Sequence, residues 1–257
     1  MITIEPISAF SDNYIWCLSN AQGQAFVVDP GEAAPVERHL QAKNLKLTGV
    51  LITHHHFDHV GALPELTAAH PSLRIIGPET SAPEINEPVC AGDRVTALNT
   101  GFDVLAVPGH TLDHIAFYTN ETDQPGLFCG DTLFAGGCGR LFEGTPEQMH
   151  QSLAQLKDLP ADTRVYCAHE YTQANLAFAR AVEPDNESLI ARSREVDRLR
   201  AKNQPSVPST IAEELATNPF LRADKTSVQA SARDYANIHI DREAEVFAAI
   251  RRWKDNF

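Results

Sequence analysis

The sequence predicts an α/β protein, with a strand-rich domain over residues 1–169 and a small helical domain over residues 170–257. Up to residue 169, short runs rich in Val, Ile and Phe are bounded by Gly, Pro, Asn or Asp, which is typical of strands and turns. After residue 169 the apolar residues recur with helical spacing, and turn-forming segments separate the runs. The charge changes at the same place: residues 1–170 hold 8 Lys or Arg against 21 Asp or Glu, whereas residues 171–257 hold 13 of each.

The individual elements follow in order along the chain. We expect strands at 2–7, 13–18, 24–29, 47–53, 73–77, 102–108, 114–119, 126–131 and 163–169. We expect helices at 33–43, 61–69 and 146–157, then at 172–182, 187–203, 209–216, 226–236 and 241–254. The helix at 146–157 has the clearest start, because Thr145 can cap it and Pro146 fits its first position.

The composition excludes several classes of protein. With 43% hydrophobic and 21% charged residues, the chain has an ordinary globular composition. The N-terminus lacks a basic leader, and no apolar run reaches the roughly 18 residues of a membrane span, so we expect a cytoplasmic protein without a membrane partner. The net charge of −13 lies in the first part of the chain and argues against a nucleic-acid partner. Five scattered cysteines without a C-x-x-C pair are typical of reduced thiols.

The strongest local signal is the segment T-H-H-H-F-D-H at 53–59, which directly follows the apolar run GVLI. Because side chains alternate along an extended chain, its first and third histidines share one face and its second histidine points away. The Asp and the last His follow in the turn, before the helix expected near residue 61. Neutral imidazole and carboxylate groups bind zinc, iron and manganese alike. The candidate ligands of this segment are His54, His56, Asp58 and His59.

Further residues of the same kind follow other strands. His110, Asp131 and His169 each end an apolar strand-like run, where loops present functional groups at one edge of a sheet. Four ligands make one closed site, whereas seven suit two ions that share a carboxylate. The competing interpretation is a fortuitous histidine run on the surface, which leaves the three further strand-end residues unexplained.

These motifs carry a resemblance to a known family. T-H-x-H-x-D-H at 53–59, G-H-T at 109–111, G-D-T at 130–132 and C-A-H-E-Y-T at 167–172 resemble the metallo-β-lactamase superfamily. Within it, the chain resembles the glyoxalase II (hydroxyacylglutathione hydrolase) family almost end to end. The narrower motifs are N-Y-I-W at 13–16, D-P-G at 29–31, L-F-A-G-G-C-G-R at 133–140, N-P-F-L-R at 218–222 and the terminal R-R-W-K-D-N-F.

The resemblance implies an αββα metallo-β-lactamase-like sandwich followed by a small C-terminal helical domain that binds glutathione. It also implies two divalent ions per chain, with Zn²⁺ favoured and Fe or Mn as alternatives. His54, His56 and His110 would hold the first ion, Asp58, His59 and His169 the second, and Asp131 would bridge them. The family pattern assigns glutathione to Arg140, Tyr171, Arg251 and Lys254.

Three positions depart from the family pattern. Arg140 stands where many relatives have Lys, which keeps the charge and changes its geometry. Phe142 stands where some have Tyr, so a hydroxyl contact is missing. Asp113 replaces a common Gly, which we interpret as an Asp in a left-handed backbone conformation.

The implied reaction is hydrolysis of S-2-hydroxyacylglutathione, such as S-D-lactoylglutathione, to glutathione and D-lactate, the second step of methylglyoxal detoxification. A hydroxide held by the two metals would attack the thioester carbonyl, with Asp58 and Asp131 as catalytic ligands. Since the leaving thiolate has a pKa near ~8.5, no dedicated general acid is required. Asp29 would either orient a histidine from behind or make the D-P-G turn. We expect a monomer acting on a small glutathione thioester.

Other functions remain open from the sequence. The metal motif alone also fits a phosphodiester or RNA hydrolase, against which the acidic first domain argues. A β-lactam or lactone hydrolase would not explain the basic C-terminal helices, and a persulfide dioxygenase with a single iron would lack this C-terminal region. The non-enzymatic alternative is a metal-binding protein, which would turn over no thioester.

Overall fold

The structure is a computed structural model that describes residues 2–237, 239, 240 and 242–257. The chain divides into two compact units: unit 1 is Met1–Ala106 with Asp113–Gly130, and unit 2 is Val107–Leu112 with Asp131–Phe257. This division follows spatial compactness rather than chain order, so the predicted boundary between residues 169 and 170 stays a prediction. None of the helices in the described ranges is both long and apolar enough to cross a membrane.

Unit 1 contains a mixed sheet. Its strands are β1 (Ile2–Ala9), β2 (Asn13–Asn20), β3 (Gln24–Val28), β4 (Lys46–Leu51), β5 (Arg74–Gly77) and β6 (Glu87–Pro88). They lie side by side in chain order; β1, β2 and β3 are antiparallel, and β3 to β6 are parallel. The connecting helices are α1 (Ala33–Lys43), α2 (Phe57–Val60) and α3 (Leu63–Ala69). Parallel pairing brings the carboxyl ends of β3 and β4 to the same edge of the sheet. The segment at 53–59 that contains four of the predicted ligands, called the ligand segment below, begins just beyond β4.

The rest of unit 1 is an antiparallel meander of β7 (Arg94–Ala97), β8 (Thr100–Ala106), β9 (Ile115–Thr119) and β10 (Gly126–Gly130). The mixed sheet has its own core: Val27 and Val50 from its strands belong to one buried cluster with Val36 and Leu40 of α1 and Leu66 of α3. Burial of such aliphatic side chains stabilises the edge of the sheet from which the ligand segment extends.

Unit 2 is mainly helical. Its helices are α4 (Pro146–Lys157), α5 (Thr172–Val182), α6 (Glu187–Arg200), α7 (Ile211–Thr217), α8 (Thr226–Ala236) and α9 (Glu243–Asp255). Its strands are β11 (Leu133–Phe134), β12 (Gly137–Cys138), β13 (Arg164–Cys167) and β14 (Ser209–Thr210), with β11 pairing β12 and β13 pairing β14. The predicted start of α4 is confirmed, because Thr145 forms a capping box with Gln148 and Pro146 occupies the first helical position.

Several predicted boundaries are wrong for identifiable reasons. Asp58 and His59 do not lie in a turn before a helix at residue 61; they lie in the helical turn α2, and α3 begins at Leu63. The helix predicted at 187–203 ends at Arg200, and Asn203 has a left-handed φ of 54°. The helix predicted at 209–216 begins at Ile211, because Thr210 ends β14 and caps α7 through the Glu213 amide.

Two further differences concern the short strands and the bounds of the last helix. The short strands β6, β7, β11, β12 and β14 were not predicted, since two to four residues carry little periodic signal. The last helix, predicted at 241–254, runs from Glu243 to Asp255, and residue 241 lies outside the described residues.

A buried carboxylate in unit 2 makes stability depend on pH. Glu183 is 4% exposed and accepts two hydrogen bonds from Arg222, at 2.7 and 3.0 Å, and one from the Ser227 hydroxyl at 2.7 Å. Burial alone would raise its pKa, but these hydrogen bonds from Arg222 and Ser227 outweigh it and hold the pKa below the usual value. The carboxylate therefore stabilises the fold above the unfolded-chain pKa of about 4.3, and this contribution is lost as pH falls through the lower folded pKa.

We expect Glu183→Gln to lower the free energy of unfolding at neutral pH by about 1–3 kcal/mol, since a charge-assisted hydrogen-bond set becomes neutral. Denaturant titrations of the wild type and the variant at several pH values measure the difference. The difference should shrink as the pH falls below the unfolded-chain pKa of about 4.3 and through the lower pKa of the folded wild type, because the wild-type carboxylate then becomes protonated. A difference that is the same at pH 7 and pH 3 would contradict this account.

Candidate metal centre

Asp29 anchors the start of the ligand segment in unit 1 through hydrogen bonds to Thr53. Asp29 lies just beyond β3 with φ 52°, and its carboxylate accepts from the Thr53 amide at 2.8 Å and the Thr53 hydroxyl at 2.7 Å. Because the Thr53 hydroxyl proton is directed to Asp29, the hydroxyl accepts from His54 Nδ1, which lies 3.1 Å away. This favours the His54 tautomer with the proton on Nδ1, so that Nε2 is the unprotonated ring nitrogen.

The His54 Nε2 lone pair is directed toward a second imidazole. His54 Nε2 lies 3.1 Å from His56 Nδ1, and the two rings meet nearly edge to face at 4.7 Å. His54 is fully buried, whereas His56 is half-buried. The first and third histidines of the segment therefore converge, as the alternation predicted.

Asp58 and His59 form the other pair in unit 1. His59 is buried, and its Nδ1 lies 3.1 Å from Asp29 Oδ2, so Asp29 is placed to orient this histidine. His59 Nε2 lies 3.6 Å from Asp58 Oδ2. The Asn13 amide donates to the same Asp58 oxygen at 3.0 Å, which holds the carboxylate beside the imidazole.

Unit 2 brings together the three strand-end candidates. His110 Nε2 lies 3.3 Å from Asp131 Oδ2, and His169 Nε2 lies 3.3 Å from Asp131 Oδ1. All three residues are buried. Each carboxylate oxygen of Asp131 thus faces a different imidazole, which is the arrangement a bridging carboxylate requires.

Neighbouring groups orient both histidines of unit 2. His110 Nδ1 donates to the Arg140 carbonyl at 2.8 Å, so Nε2 is its unprotonated ring nitrogen. The His169 ring stacks on Tyr171 at a centroid distance of 4.6 Å and an interplanar angle of 4°. Phe134 contacts both rings edge-on.

The donor atoms fit a divalent ion of the zinc class. Metal–ligand bonds of ~2.0–2.1 Å place two tetrahedral ligand atoms about 3.3 Å apart. The pairs in unit 1 and unit 2 lie at 3.1, 3.3 and 3.3 Å. Imidazole nitrogen with carboxylate oxygen is also the donor set that zinc, iron and manganese share.

Three residues outside the predicted ligand set, His55, His114 and Asp113, also have contacts in unit 1. His55 is directed to Asp113, 3.1 Å away, which supports its exclusion from the ligands. His114 is buried, stacks on His54 at 4.4 Å and contacts its neighbouring carbonyl through Nδ1. The expectation of a left-handed Asp113 is wrong: its φ is not positive, and its carboxylate instead accepts from the hydroxyls of Thr80 and Ser81.

The four predicted glutathione residues differ in accessibility. Arg140 is exposed, Tyr171 is 39% exposed and Lys254 is half-buried. Arg251 is 4% exposed, and its guanidinium donates to the Cys138 carbonyl at 3.1 Å and to Asp255 at 2.9 Å. Arg251 also lies over the Phe220 ring, 5.1 Å from its centroid.

Lys254 and Phe142 complete the description of these predicted positions. Lys254 Nζ donates to the Ala174 carbonyl at 3.1 Å; burial lowers its pKa, and the charges of Arg251 and Arg140 lower it further. Phe142 is 63% exposed and contacts the His110 ring edge-on. At this position, where some members of the family have Tyr, the chain therefore keeps the aromatic ring and lacks the hydroxyl.

Sequence reasoning missed the groups that hold the ligands in place. Asn13, the Thr53 hydroxyl and the Arg140 carbonyl each bond a candidate ligand. Asn13 begins the N-Y-I-W motif and Thr53 begins the ligand segment, so both lay inside motifs that carried the resemblance. A backbone carbonyl leaves no signal in the residue type.

Comparison with known proteins identifies the family. The Metallo-beta-lactamase superfamily model matches residues 14–169, and the Hydroxyacylglutathione hydrolase C-terminus model matches residues 170–257. The Hydroxyacylglutathione hydrolase of Pseudoalteromonas translucida (strain TAC 125) is 48% identical over 100% of both chains. That of Pseudomonas aeruginosa (strain PAO1) is 52% identical, again over 100% of both chains. The chain belongs to the hydroxyacylglutathione hydrolase family. The predicted family, and with it the prediction of a hydrolase, is confirmed.

Solved structures confirm the predicted fold class. ETHE1 from Myxococcus xanthus superposes with a TM-score of 0.65 at 27% identity, covering 99% of this chain and 98% of that chain. TTHA1623, solved in a di-iron-bound form, gives a TM-score of 0.60 at 26% identity, covering 84% of this chain and 100% of that chain. The family's metallo-β-lactamase fold and the His and Asp clusters together support a binuclear metal centre.

Proposed function

We propose that this member of the hydroxyacylglutathione hydrolase family cleaves S-2-hydroxyacylglutathione, such as S-D-lactoylglutathione, to glutathione and the 2-hydroxy acid, here D-lactate. The observation that carries the proposal is the full-length similarity, at 48–52% identity, to proteins of that name. The intact set of donor residues supports the same activity, since a thioester hydrolase of this superfamily depends on its metals.

We assign the ligands as the resemblance implies. His54, His56 and His110 would hold one ion, Asp58, His59 and His169 the other, and Asp131 both. When bound, two divalent ions lower the pKa of a water molecule and polarise the thioester carbonyl. Zn²⁺ is the ion we favour, and iron or manganese suit the same donors.

The protein's own contribution is to present each donor atom in the right protonation state. Asp29 acts through Thr53 on His54 and directly on His59, while the Arg140 carbonyl fixes His110. Because Nδ1 of His54 and Nδ1 of His110 are committed to hydrogen bonding, neither of these imidazoles needs a tautomer change to bind an ion through Nε2. Asp58, held by Asn13 and 37% exposed, is a ligand whose carboxylate can also accept a proton released during hydrolysis.

The chemistry of the leaving group fits this residue set. Glutathione departs as a thiolate. Because the pKa of the corresponding thiol is near ~8.5, the thiolate can leave without being protonated first. The residues at the centre therefore need to serve the attack on the carbonyl and the charge that develops on its oxygen, rather than supply a general acid.

We propose that Arg140, Tyr171, Arg251 and Lys254 bind the glutathione moiety. Glutathione carries two carboxylates, and cations in unit 2 would attract them. Arg140 and Lys254 are accessible enough for direct contact, and Tyr171, which stacks on His169, is 39% exposed. Arg251 contributes from a buried position, where it holds the Cys138 carbonyl.

Lys254→Ala is therefore expected to raise KM for glutathione thioesters about 5–20-fold while changing kcat little, because the lost contact acts as uniform binding away from the reacting carbonyl. The matched control is Arg252→Ala, which removes an exposed cation from the same helix. Steady-state kinetics with a glutathione thioester and with a truncated thioester lacking the peptide make the measurement. If both variants raise KM equally, or if Lys254→Ala also impairs the truncated substrate, the assignment of Lys254 is wrong.

The proposed activity is tested by comparing turnover of substrates from four chemical classes. Purified protein reconstituted separately with Zn²⁺, Fe²⁺ or Mn²⁺ is assayed with S-D-lactoylglutathione, a phosphodiester, an RNA oligonucleotide and a lactone. We expect efficient turnover of the thioester alone. Preferred turnover of the phosphodiester or lactone would replace this function with the alternative one, and turnover of none would favour a metal-binding protein.

We further propose a cytoplasmic monomer. The family's substrate is a small molecule, and within the described residues each metal ligand comes from this one chain. Sedimentation at micromolar concentration should give the mass of one 28.2 kDa chain. A stable dimer would contradict this part of the proposal.

A further inference from the structure

A buried hairpin in unit 2 connects the helical segment to a metal ligand. The loop 133–140 consists of β11, a tight turn at Gly136 with φ 69°, β12 and the exposed Arg140. Residues 133–139 are all buried. Buried backbone groups in such a turn need hydrogen-bond partners, and here side chains from the helical segment supply them.

Asn218, from the N-P-F motif, is the main partner of this loop. Its amide donates to the Phe134 carbonyl at 3.2 Å and to the Gly137 carbonyl at 2.9 Å. Glu214 accepts from the Gly136 amide at 2.8 Å and from the Asn218 amide at 3.0 Å. Both side chains are fully buried, so water cannot replace these bonds without a rearrangement.

The far end of the same loop bonds a metal ligand. The Arg140 carbonyl accepts from His110 Nδ1 at 2.8 Å, which leaves His110 Nε2 facing Asp131. The approach is close: a Cβ at Gly139 would lie 1.9 Å from the Asp131 carbonyl oxygen and 3.3 Å from His110 Nδ1. A small displacement of the loop therefore moves the group that sets the tautomer and orientation of His110.

We propose that Asn218 and Glu214 are positioning residues for the metal centre and for Arg140, acting through the loop 133–140. Neither residue is a ligand; they hold the carbonyl that holds His110, and they place the Arg140 side chain. The N-P-F motif of the C-terminal segment would then serve metal binding as well as glutathione binding. This inference rests on the proposed metal function of His110 and Asp131.

The test compares Asn218→Ala with a matched control, Asn186→Ala. Asn186 caps α6 through the Leu189 amide and donates to the Ala216 carbonyl, so its loss removes an asparagine from the same unit without touching the loop. Zn²⁺ affinity is measured by competition with a chromophoric chelator, alongside thermal melting and steady-state kinetics. We expect Asn218→Ala to weaken Zn²⁺ binding about 10–100-fold, the range typical of groups that orient ligands. Asn186→Ala should lower the melting temperature and leave Zn²⁺ affinity unchanged.

A second variant covers the case in which Asn218→Ala does not fold. Asn218→Ser keeps one donor for the loop carbonyls, and we expect a Zn²⁺ affinity between those of the wild type and the alanine variant. In both Asn218 variants KM for the glutathione thioester should also rise, because Arg140 is displaced. If Asn218→Ala or Asn218→Ser melts lower but binds Zn²⁺ like the wild type, Asn218 is only structural and the inference is overturned. Failure of the wild type itself to bind Zn²⁺ would instead overturn the proposed function.

Discussion

Replacing Asp131 with Ala is expected to abolish hydrolysis and to lower the affinity for both metal ions. Its two carboxylate oxygens lie 3.3 Å from His110 Nε2 and 3.3 Å from His169 Nε2, which we assign to different ions. Removing a shared anionic ligand should reduce activity by more than about 100-fold, which exceeds the effect typical of a group that only orients a ligand. Metal content after dialysis and turnover of the glutathione thioester are the two measurements.

The control for this change is Asp197→Ala, which removes an exposed carboxylate on α6. It should leave metal content and turnover at the wild-type level. A second variant, Asp131→Asn, keeps the size and one oxygen acceptor but loses the charge, so it should retain less metal than the wild type and more than Asp131→Ala. Full occupancy of two ions in Asp131→Ala would show that Asp131 bridges nothing.

Glu214→Ala is expected to be the most destabilising single change considered for unit 2. Glu214 is fully buried and accepts from Arg192 at 2.6 Å, as well as from Gly136 and Asn218. Arg192, itself 6% exposed, would lose this buried carboxylate partner. Breaking a buried pair in this way costs about 3–5 kcal/mol, because the remaining charge stays desolvated.

Glu213→Ala provides the matched control. Glu213 is the adjacent residue and also faces Arg192, at 3.4 Å, but its side chain is 44% exposed. A pair of this kind contributes about 0–1 kcal/mol, so the loss of unfolding free energy should be small. Guanidinium unfolding of both variants separates the two cases. Equal losses would mean that burial of Glu214 does not set its contribution.

Elements with strong local signals were predicted well from the sequence. The helices at 33–43, 146–157, 172–182 and 226–236 have the predicted bounds. Each is long enough for its apolar period to repeat, and Thr145 marks one start by a cap. Short elements such as α2 and β7 were missed, because their four residues contain no continuous apolar run and tertiary contacts decide their conformation.

The candidate site was predictable where chemistry resides in the residue type. Imidazole and carboxylate side chains after strand ends identified the ligand candidates, and the structure places them as neighbours within each unit. The supporting groups could not be predicted, since they meet the ligands only through the fold. The Arg140 carbonyl is a backbone atom, and Asn218 acts on a loop that lies more than 75 positions earlier in the chain.

The placement of Arg251 shows the same limit. The family pattern assigned both Arg251 and Lys254 to glutathione, but it could not reveal that Arg251 is buried against the Cys138 carbonyl and Phe220. Lys254, three residues later, remains half-buried. Burial depends on what packs against a helix, and the sequence of the helix alone does not contain that information.

The central claim is that one chain holds two metal ions and needs both for hydrolysis. Metal-free wild-type protein is titrated with Zn²⁺, and bound metal per chain is measured by native mass spectrometry while thioester turnover is followed on the same samples. We predict saturation at two ions per chain, with full activity reached only as the second ion binds. Saturation at one ion per chain with full activity would contradict the binuclear centre.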